Sequence, residues 1–157
     1  MDLKVGDTAP EFKMQVSDGE YVELSKLRGK NVVLYFYPKD DTPGCTIEAC
    51  DFNAHKSEFA AINTLVIGVS KDDIKSHNKF KAKYELGLHL ASDSDTDTCE
   101  KYGVWAEKSM MGKKYMGINR TTFLIDKNSK IVHIWHNVTA VGHVKEVLKI
   151  AEGAKLG

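Results

Sequence analysis

Short, strongly apolar runs alternate along the chain with longer segments of helical spacing. The most apolar run is NVVLYFY at residues 31–37, and LVIGV at residues 65–69 has the same character. Runs of this length are typical of buried central strands, so we predict strands over 32–37 and 65–69. Two further strands are predicted over 121–126 and 130–136, and the short connection between them requires antiparallel pairing.

The segments between these strands carry the spacing and end signals of helices. We predict helices over 45–60 and 140–151, and a third that opens with a capping box at residues 70–73 and ends near Tyr84. The shorter predicted elements are a hairpin over 11–24 with its turn at 17–19, a helical turn over 24–29, a strand over 86–90 and a helix that begins in 92–98 and ends near Gly103. Residues 107–117, rich in Met and Lys, are expected to form a loop or irregular excursion.

This order of elements indicates the fold class. Strands separated by helices, followed by a hairpin and a final helix, predict an α/β fold in which a central mixed sheet is flanked by helices. A chain of 157 residues is long enough to bury one core. We therefore expect a single domain that spans residues 1–157.

The composition limits the classes of partner and compartment. The 22 basic and 22 acidic side chains give a net charge of zero, which provides no electrostatic basis for binding nucleic acid or an anionic membrane surface. The N-terminal segment MDLKVGD lacks the apolar stretch of a signal peptide, and no run approaches the ~20 apolar residues of a membrane helix. Three cysteines, an odd number, argue against a secreted disulfide framework. We therefore expect a cytoplasmic protein.

The segment PKDDTPGCTIEAC, at residues 38–50, contains the candidate reactive residues of the chain. It follows the predicted strand over 32–37, and Cys45 stands where the next helix is predicted to begin. A thiol in that position faces unpaired backbone N–H groups and the positive end of the helix dipole, which favour its thiolate. The alternative is that Cys45 is a small buried apolar residue, as many free cysteines are.

Three segments in order resemble the peroxiredoxin family. Pro38-x-x-x-Thr42-x-x-Cys45 resembles the active-site signature of that family, and the additional Cys50 is similar to its bacterioferritin-comigratory, or PrxQ, branch. The segments at residues 5–12 and 117–126 resemble the family's N-terminal segment and its arginine-bearing strand. The resemblance covers nearly the whole chain and implies the thioredoxin-like (peroxiredoxin) fold.

The resemblance also implies an activity and a role for each site residue. It implies a thiol-dependent peroxidase that reduces hydrogen peroxide and organic hydroperoxides, with Cys45 as the peroxidatic nucleophile that becomes a sulfenic acid. Arg120 would lie beside Cys45 and stabilise the thiolate, and Thr42 would accept a hydrogen bond from the peroxide or donate one to it. Pro38 would shape the turn, and Cys50 would be the resolving cysteine. Electrons would come from thioredoxin or a similar dithiol reductant, and the protein would be a monomer without metal, haem or flavin.

The spacing of the two cysteines in the motif conflicts with a disulfide in an intact helix. An offset of five residues corresponds to about 140° of rotation and a Cα separation of roughly 8.6 Å. A disulfide tolerates at most about 7 Å. If Cys50 resolves Cys45, as the resemblance implies, the helix must open locally. Cys99 has no counterpart in the motif, and we interpret it as a structural thiol.

Two other functions use the same cysteine. A disulfide oxidoreductase is disfavoured because the C-x-x-C spacing of thioredoxins is absent and the offset is five rather than three. A redox sensor or thioredoxin-like binding module would use the same cysteine, but its turnover would be slow. Peroxide-dependent turnover distinguishes the peroxidase from both.

Overall fold

The computed structural model describes residues 2–154, which fold into a seven-stranded sheet, a separate two-stranded hairpin and helices on both sides of the sheet. The strands are β1 (Lys13–Ser17), β2 (Glu20–Glu23), β3 (Asn31–Phe36), β4 (Thr64–Ser70), β5 (His89–Ser92), β6 (Trp105–Met110), β7 (Lys113–Ile118), β8 (Thr121–Ile125) and β9 (Ile131–Trp135). The helices are α1 (Pro43–Ala54), α2 (Lys56–Ala61), α3 (Ile74–Tyr84), α4 (Thr98–Lys101) and α5 (His143–Ala154), and a 3-10 turn covers Leu24–Leu27. None of the helices within residues 2–154 is long and apolar enough to cross a membrane.

The predicted central mixed sheet is confirmed. Its strand order is β2-β1-β5-β4-β3-β8-β9, and β3, β4 and β5 run parallel to one another. Strand β8 pairs antiparallel with β3, and β9 pairs antiparallel with β8, as the short connection between them required. Every residue of β3 is buried, because the strand has neighbours on both edges and packed layers on both faces.

Alternate residues of β3 belong to two separate cores. Val32, Leu34 and Phe36 pack into one core, which also contains Cys99. Val33 and Tyr35 point to the opposite face and, together with Tyr37 just after the strand, pack into the other core with helices α1, α2, α3 and α5. Cys45 lies in this second core, so the sheet separates it from Cys99.

The prediction of a loop at residues 107–117 was wrong. Strands β6 and β7 form a regular antiparallel hairpin there, with Trp105 opposite Ile118 and Met110 opposite Lys113. The two turn residues, Met111 and Gly112, both have positive φ, 53° and 79°. Two positive values are what a two-residue type I′ turn requires, and the usual sequence signal for it is Asn-Gly or Asp-Gly. Met-Gly does not give that signal.

Several helix boundaries also differ from the prediction. Helix α1 begins at Pro43 rather than residue 45, because proline is compatible with the first helical position. The predicted helix over 45–60 is two helices, separated at His55. The capping box at residues 70–73 is not formed: Ser70 ends β4, and Asp73 caps α3 by accepting the Ser76 N–H at 2.8 Å.

Gly68 on β4 gives a sharp test of the packing around Tyr35. A Cβ atom added at Gly68 would lie 2.6 Å from Cζ of Tyr35 and 2.9 Å from a methyl carbon of Leu90. We therefore expect Gly68→Ala to lower the free energy of unfolding by about 1–3 kcal/mol, measured by urea denaturation. Gly153→Ala is the matched control, since nothing lies within 4 Å of an added Cβ there and alanine favours the helix. Equal stability of the two variants would contradict the close contact.

Candidate active site

A short turn connects the carboxyl end of β3, at Phe36, to the start of helix α1 at Pro43, and Cys45 lies in the first turn of this helix. Thr42 is the N-cap in an extended conformation, Pro43 is the first helical residue, and Cys45 is the third. The N–H groups of this turn have no carbonyl acceptors within the helix, and they carry the positive end of its dipole. Only 1% of Cys45 is exposed. The structure therefore places Cys45 at the helix start, as predicted, and also encloses its thiol in the second core.

Arg120 binds the thiol from the neighbouring strand. It immediately precedes β8, the antiparallel partner of β3, and one of its nitrogens, Nη2, donates to Cys45 Sγ at 3.3 Å. The other, Nη1, donates to Glu48 Oε1 at 2.7 Å. Burial opposes the charge of Arg120, but Cys45 and Glu48 more than offset it and raise the pKa of the guanidinium. The guanidinium thus bridges the two acidic groups as a fixed cation.

Glu48 is the main site residue that the sequence analysis missed. Its side chain is 0% exposed, and its second oxygen, Oε2, has no hydrogen-bond partner among the described residues. Burial raises the pKa of Glu48 to about 7, and Arg120 only partly opposes this shift. The signal was present in the sequence, because a residue three positions after Cys45 lies on the same side of a helix.

His143 and Thr122 complete the buried polar cluster behind Glu48. His143 Nε2 lies 4.0 Å from Glu48 Oε2 and 2.8 Å from Thr122 Oγ1. Burial lowers the pKa of His143 to about 4, so the imidazole is neutral at pH 7. The contact joins α5 to α1 across a distance in sequence that no local pattern could have revealed.

The remaining predicted site residues belong to the turn before α1. Thr42 is half-buried, and its hydroxyl donates to the carbonyl oxygen of Lys39 at 2.9 Å. Pro38 is exposed where the chain leaves β3. Gly44 was not among the predicted site residues. A Cβ atom added there would lie 3.1 Å from Arg120 Nη2, so glycine allows the guanidinium to approach the helix end.

Helix α3 holds this turn in place, through contacts that the sequence did not indicate. The buried Asp40 carboxylate accepts hydrogen bonds from Tyr37 Oη at 2.6 Å and Ser76 Oγ at 2.8 Å. It also pairs with His77 Nδ1 at 2.7 Å. His77 Nε2 in turn faces the carbonyl oxygen of Ala91 at 3.0 Å. The turn that carries Thr42 is therefore anchored to α3 and β5.

The three cysteines are all free and occupy different environments. Cys50 is half-buried on the same continuous helix as Cys45, and burial raises the pKa of its thiol. Cys99 is fully buried in the other core, where its backbone N–H donates to Asp93 at 2.8 Å. Burial and Asp93 raise the pKa of the Cys99 thiol. Among residues 2–154 no group of three or more His, Cys, Asp or Glu side chains could hold a metal ion.

Comparisons with known proteins agree with this site. The model of the AhpC/TSA family matches residues 5–134. The putative peroxiredoxin bcp of Coxiella burnetii is 50% identical, with 94% of this chain and 98% of that protein covered. Peroxiredoxin Bcp of Bacillus subtilis is 45% identical, with 95% of each chain covered.

Solved structures show the same relationship. The PrxQ structure from Xylella fastidiosa superimposes with a TM-score of 0.92 at 38% identity, and the bacterioferritin comigratory protein of Xanthomonas campestris with a TM-score of 0.89 at 37% identity. In both comparisons 98% of each chain is covered. The chain therefore belongs to the AhpC/TSA family, in the Bcp (PrxQ) branch of the peroxiredoxins, and is a thiol peroxidase.

Proposed function

We propose that Cys45 is the peroxidatic nucleophile. Its thiolate attacks the terminal oxygen of a hydroperoxide, the O–O bond breaks, and a sulfenic acid and an alcohol or water result once one proton is taken up. The observation that carries the proposal is the 3.3 Å hydrogen bond from Arg120 to Cys45 Sγ. A permanent cation at this distance stabilises the thiolate and the negative charge that develops on the leaving oxygen.

Thr42 and the first turn of α1 would orient the peroxide. The Thr42 hydroxyl already donates its proton to Lys39, so its oxygen is left to accept a hydrogen bond from the peroxide O–H. The backbone N–H groups of Gly44 and Cys45 have no acceptor within the helix and can donate to the peroxide oxygens. An acceptor on one side and donors on the other hold the O–O bond in line for attack.

We propose hydrogen peroxide and organic hydroperoxides as substrates and a thioredoxin-like dithiol protein as reductant. The Xanthomonas campestris relative is described as having alkyl peroxide reduction activity, and it is 37% identical to this chain. Because a disulfide can be reopened by exchange with an external dithiol, no cofactor is needed to return the site to its reduced form.

Cys50 would resolve the sulfenic acid. The Cys50 thiol and the Cys45 sulfenic acid condense to a disulfide and release one water. Both residues lie on α1, which is a continuous helix from Pro43 to Ala54, so the helix must unwind between them. Unwinding a helix end loses a few hydrogen bonds worth about 0.5–1.5 kcal/mol each. Because one helix carries both cysteines, a monomer can complete the cycle.

Peptide mapping tests this step. After treatment with one equivalent of peroxide, we expect non-reducing digests to contain a Cys45–Cys50 disulfide, and hydrogen exchange of residues 45–52 to be faster than in the reduced protein. The physical reason is the loss of helical hydrogen bonds in the oxidised form. The Cys50→Ser variant should show neither change. A Cys45–Cys99 disulfide is not expected, because the sheet separates those two thiols. If it were the dominant product, Cys50 would not be the resolving cysteine.

A coupled assay tests the whole cycle. NADPH oxidation through thioredoxin and its reductase should depend on peroxide and continue over many turnovers. A redox sensor would turn over only slowly, and a disulfide oxidoreductase would reduce insulin without consuming peroxide. Either result in place of sustained turnover would overturn the proposed reductant and activity.

A further inference from the structure

The buried site contains two acidic groups and one permanent cation. Arg120 donates to Cys45 Sγ at 3.3 Å and to Glu48 Oε1 at 2.7 Å, and Glu48 is fully buried. If Cys45 and Glu48 were both ionised, the enclosed site would carry a net negative charge. If only one is ionised, Arg120 neutralises it. Charge in a water-poor site is costly, so the two groups compete for the single guanidinium.

No other group near Glu48 supplies a compensating charge in the part of the chain that is described. From α5, His143 faces Oε2 at 4.0 Å, but it is neutral at pH 7 because burial lowers its pKa to about 4. On β3, burial and then the charge of Glu48 raise the pKa of the Tyr35 hydroxyl, which therefore stays protonated and neutral. Thr122, on β8, is uncharged and is bound to His143. The balance of charge therefore depends on Cys45, Glu48 and Arg120.

The two oxygens of Glu48 differ in a way that indicates where a proton would reside. Oε1 accepts a charge-assisted hydrogen bond from Arg120, whereas Oε2 is buried and accepts none. An ionised carboxylate with an unsatisfied buried oxygen is unfavourable, and a proton on Oε2 removes that cost while Oε1 keeps its bond. Burial also raises the pKa of Glu48 to about 7, so the protonated form is accessible at neutral pH.

We propose that Glu48 holds a proton while Cys45 is a thiolate and releases it when Cys45 is oxidised. The inference rests on the proposed role of Cys45 as the peroxidatic thiol. Cys45–S⁻, ROOH and protonated Glu48 become Cys45–SOH, ROH and ionised Glu48. The sulfur forms a bond to the terminal oxygen, the O–O bond breaks with its electron pair on the leaving oxygen, and one proton is transferred in total from Glu48 to the products. Arg120 then exchanges its counter-ion.

The exchange keeps the buried site neutral before and after oxidation. The thiolate pairs with Arg120 in the reduced form, and the Glu48 carboxylate pairs with Arg120 in the sulfenic acid form. The protonation of Glu48 is coupled to the charge of Cys45 through Arg120, by electrostatics. The proton that Glu48 releases therefore need not be the same proton that the products take up. Glu48 is thus a positioning residue, which acts on Cys45 through Arg120.

Infrared difference spectroscopy tests the proton directly. In a Cys50→Ser background, which leaves Cys45 as a sulfenic acid, we compare reduced and peroxide-treated protein at neutral pH. We expect the carbonyl band of a protonated carboxyl group to disappear on oxidation and a carboxylate band to replace it. Labelling the glutamates with ¹³C should shift both bands, without any substitution at position 48. Glu48→Gln should abolish the change, and Glu152→Gln, at an exposed position on α5, should retain it.

The pH profile of alkylation gives a second readout. With Glu48 present, two groups compete for Arg120, so the rate of Cys45 alkylation should rise with pH more gradually than one ionisation allows. Glu48→Gln keeps an acceptor for Arg120 but cannot ionise, and its profile should follow a single ionisation. Identical shapes for the two proteins would overturn the proposal.

The outcomes distinguish this inference from the proposed function. Dimedone labelling and mass spectrometry report whether peroxide converts Cys45 to a sulfenic acid. Failure of Cys45 to label would overturn the peroxidatic role itself. Successful labelling without a Glu48-dependent infrared change would leave that role intact and overturn the proton release.

Discussion

Cys45→Ser is expected to lower peroxide consumption by more than about 10³-fold while leaving the fold intact. The hydroxyl of serine is not ionised at neutral pH, so Arg120 and the helix N-terminus have no anion to stabilise and no nucleophile results. The assay uses a small dithiol as reductant, which makes the result independent of any protein partner. Thermal unfolding of the variant confirms that the loss of activity is chemical.

Cys99→Ser is the matched control for this experiment. Cys99 lies in the core on the other face of the sheet, and a serine hydroxyl can keep the hydrogen bond that its side chain makes to Asp93. We expect this variant to retain activity. Residual turnover of more than a few per cent in Cys45→Ser would refute the assignment of the nucleophile.

Arg120→Ala is expected to slow the reaction of Cys45 with peroxide by about 10²–10³-fold. Removing the guanidinium leaves a thiol and a buried carboxyl without their shared counter-ion. Less of the thiol is then ionised at a given pH, and the leaving oxygen loses a hydrogen-bond donor. Arg120→Lys should recover only part of the rate, because an ammonium group lacks the planar fork that reaches Cys45 and Glu48 together.

The pH dependence of alkylation by iodoacetamide measures the first of these effects. Its midpoint should move to higher pH in Arg120→Ala and remain unchanged in Arg28→Ala, where the chain's other arginine is exposed. Stopped-flow measurement of the peroxide reaction measures the second effect, the loss of the hydrogen-bond donor to the leaving oxygen. An unchanged midpoint in Arg120→Ala would show that the guanidinium does not stabilise the thiolate.

The central sheet could be predicted because its strands are apolar on both faces. β3 and β4 are buried on both sides, and such runs have few alternatives to a central strand. The β6–β7 hairpin was missed because its residues are mostly exposed and its turn is Met-Gly. The capping position of α3 was missed by three residues, since Ser70 and Asp73 are both good capping residues and only the end of β4 decides between them.

Only the part of the candidate site that is formed by residues close together in sequence could be predicted from the residues themselves. The strand, turn and helix around Cys45 follow from adjacent residues, and the place of Arg120 came from a family resemblance. The link between Asp40 and His77 joins residues far apart in sequence, as does the link between Glu48 and His143. Polar side chains that meet only after the sheet has formed leave no periodic pattern, so their pairing becomes visible only in the structure.

The anchorage of α1 has a mechanical consequence for the disulfide step. Phe52 is fully buried, stacks on Tyr35 with ring centroids 4.5 Å apart and also contacts Phe59. Ile47, by contrast, is already 41% exposed in the folded helix. Withdrawing Phe52 from the core would cost about 3–5 kcal/mol, if truncation of a buried phenylalanine is taken as the measure. If oxidation joins Cys45 to Cys50 as proposed, we therefore expect Phe52 to stay anchored in the core and the unwinding to be confined to the part of α1 that precedes it.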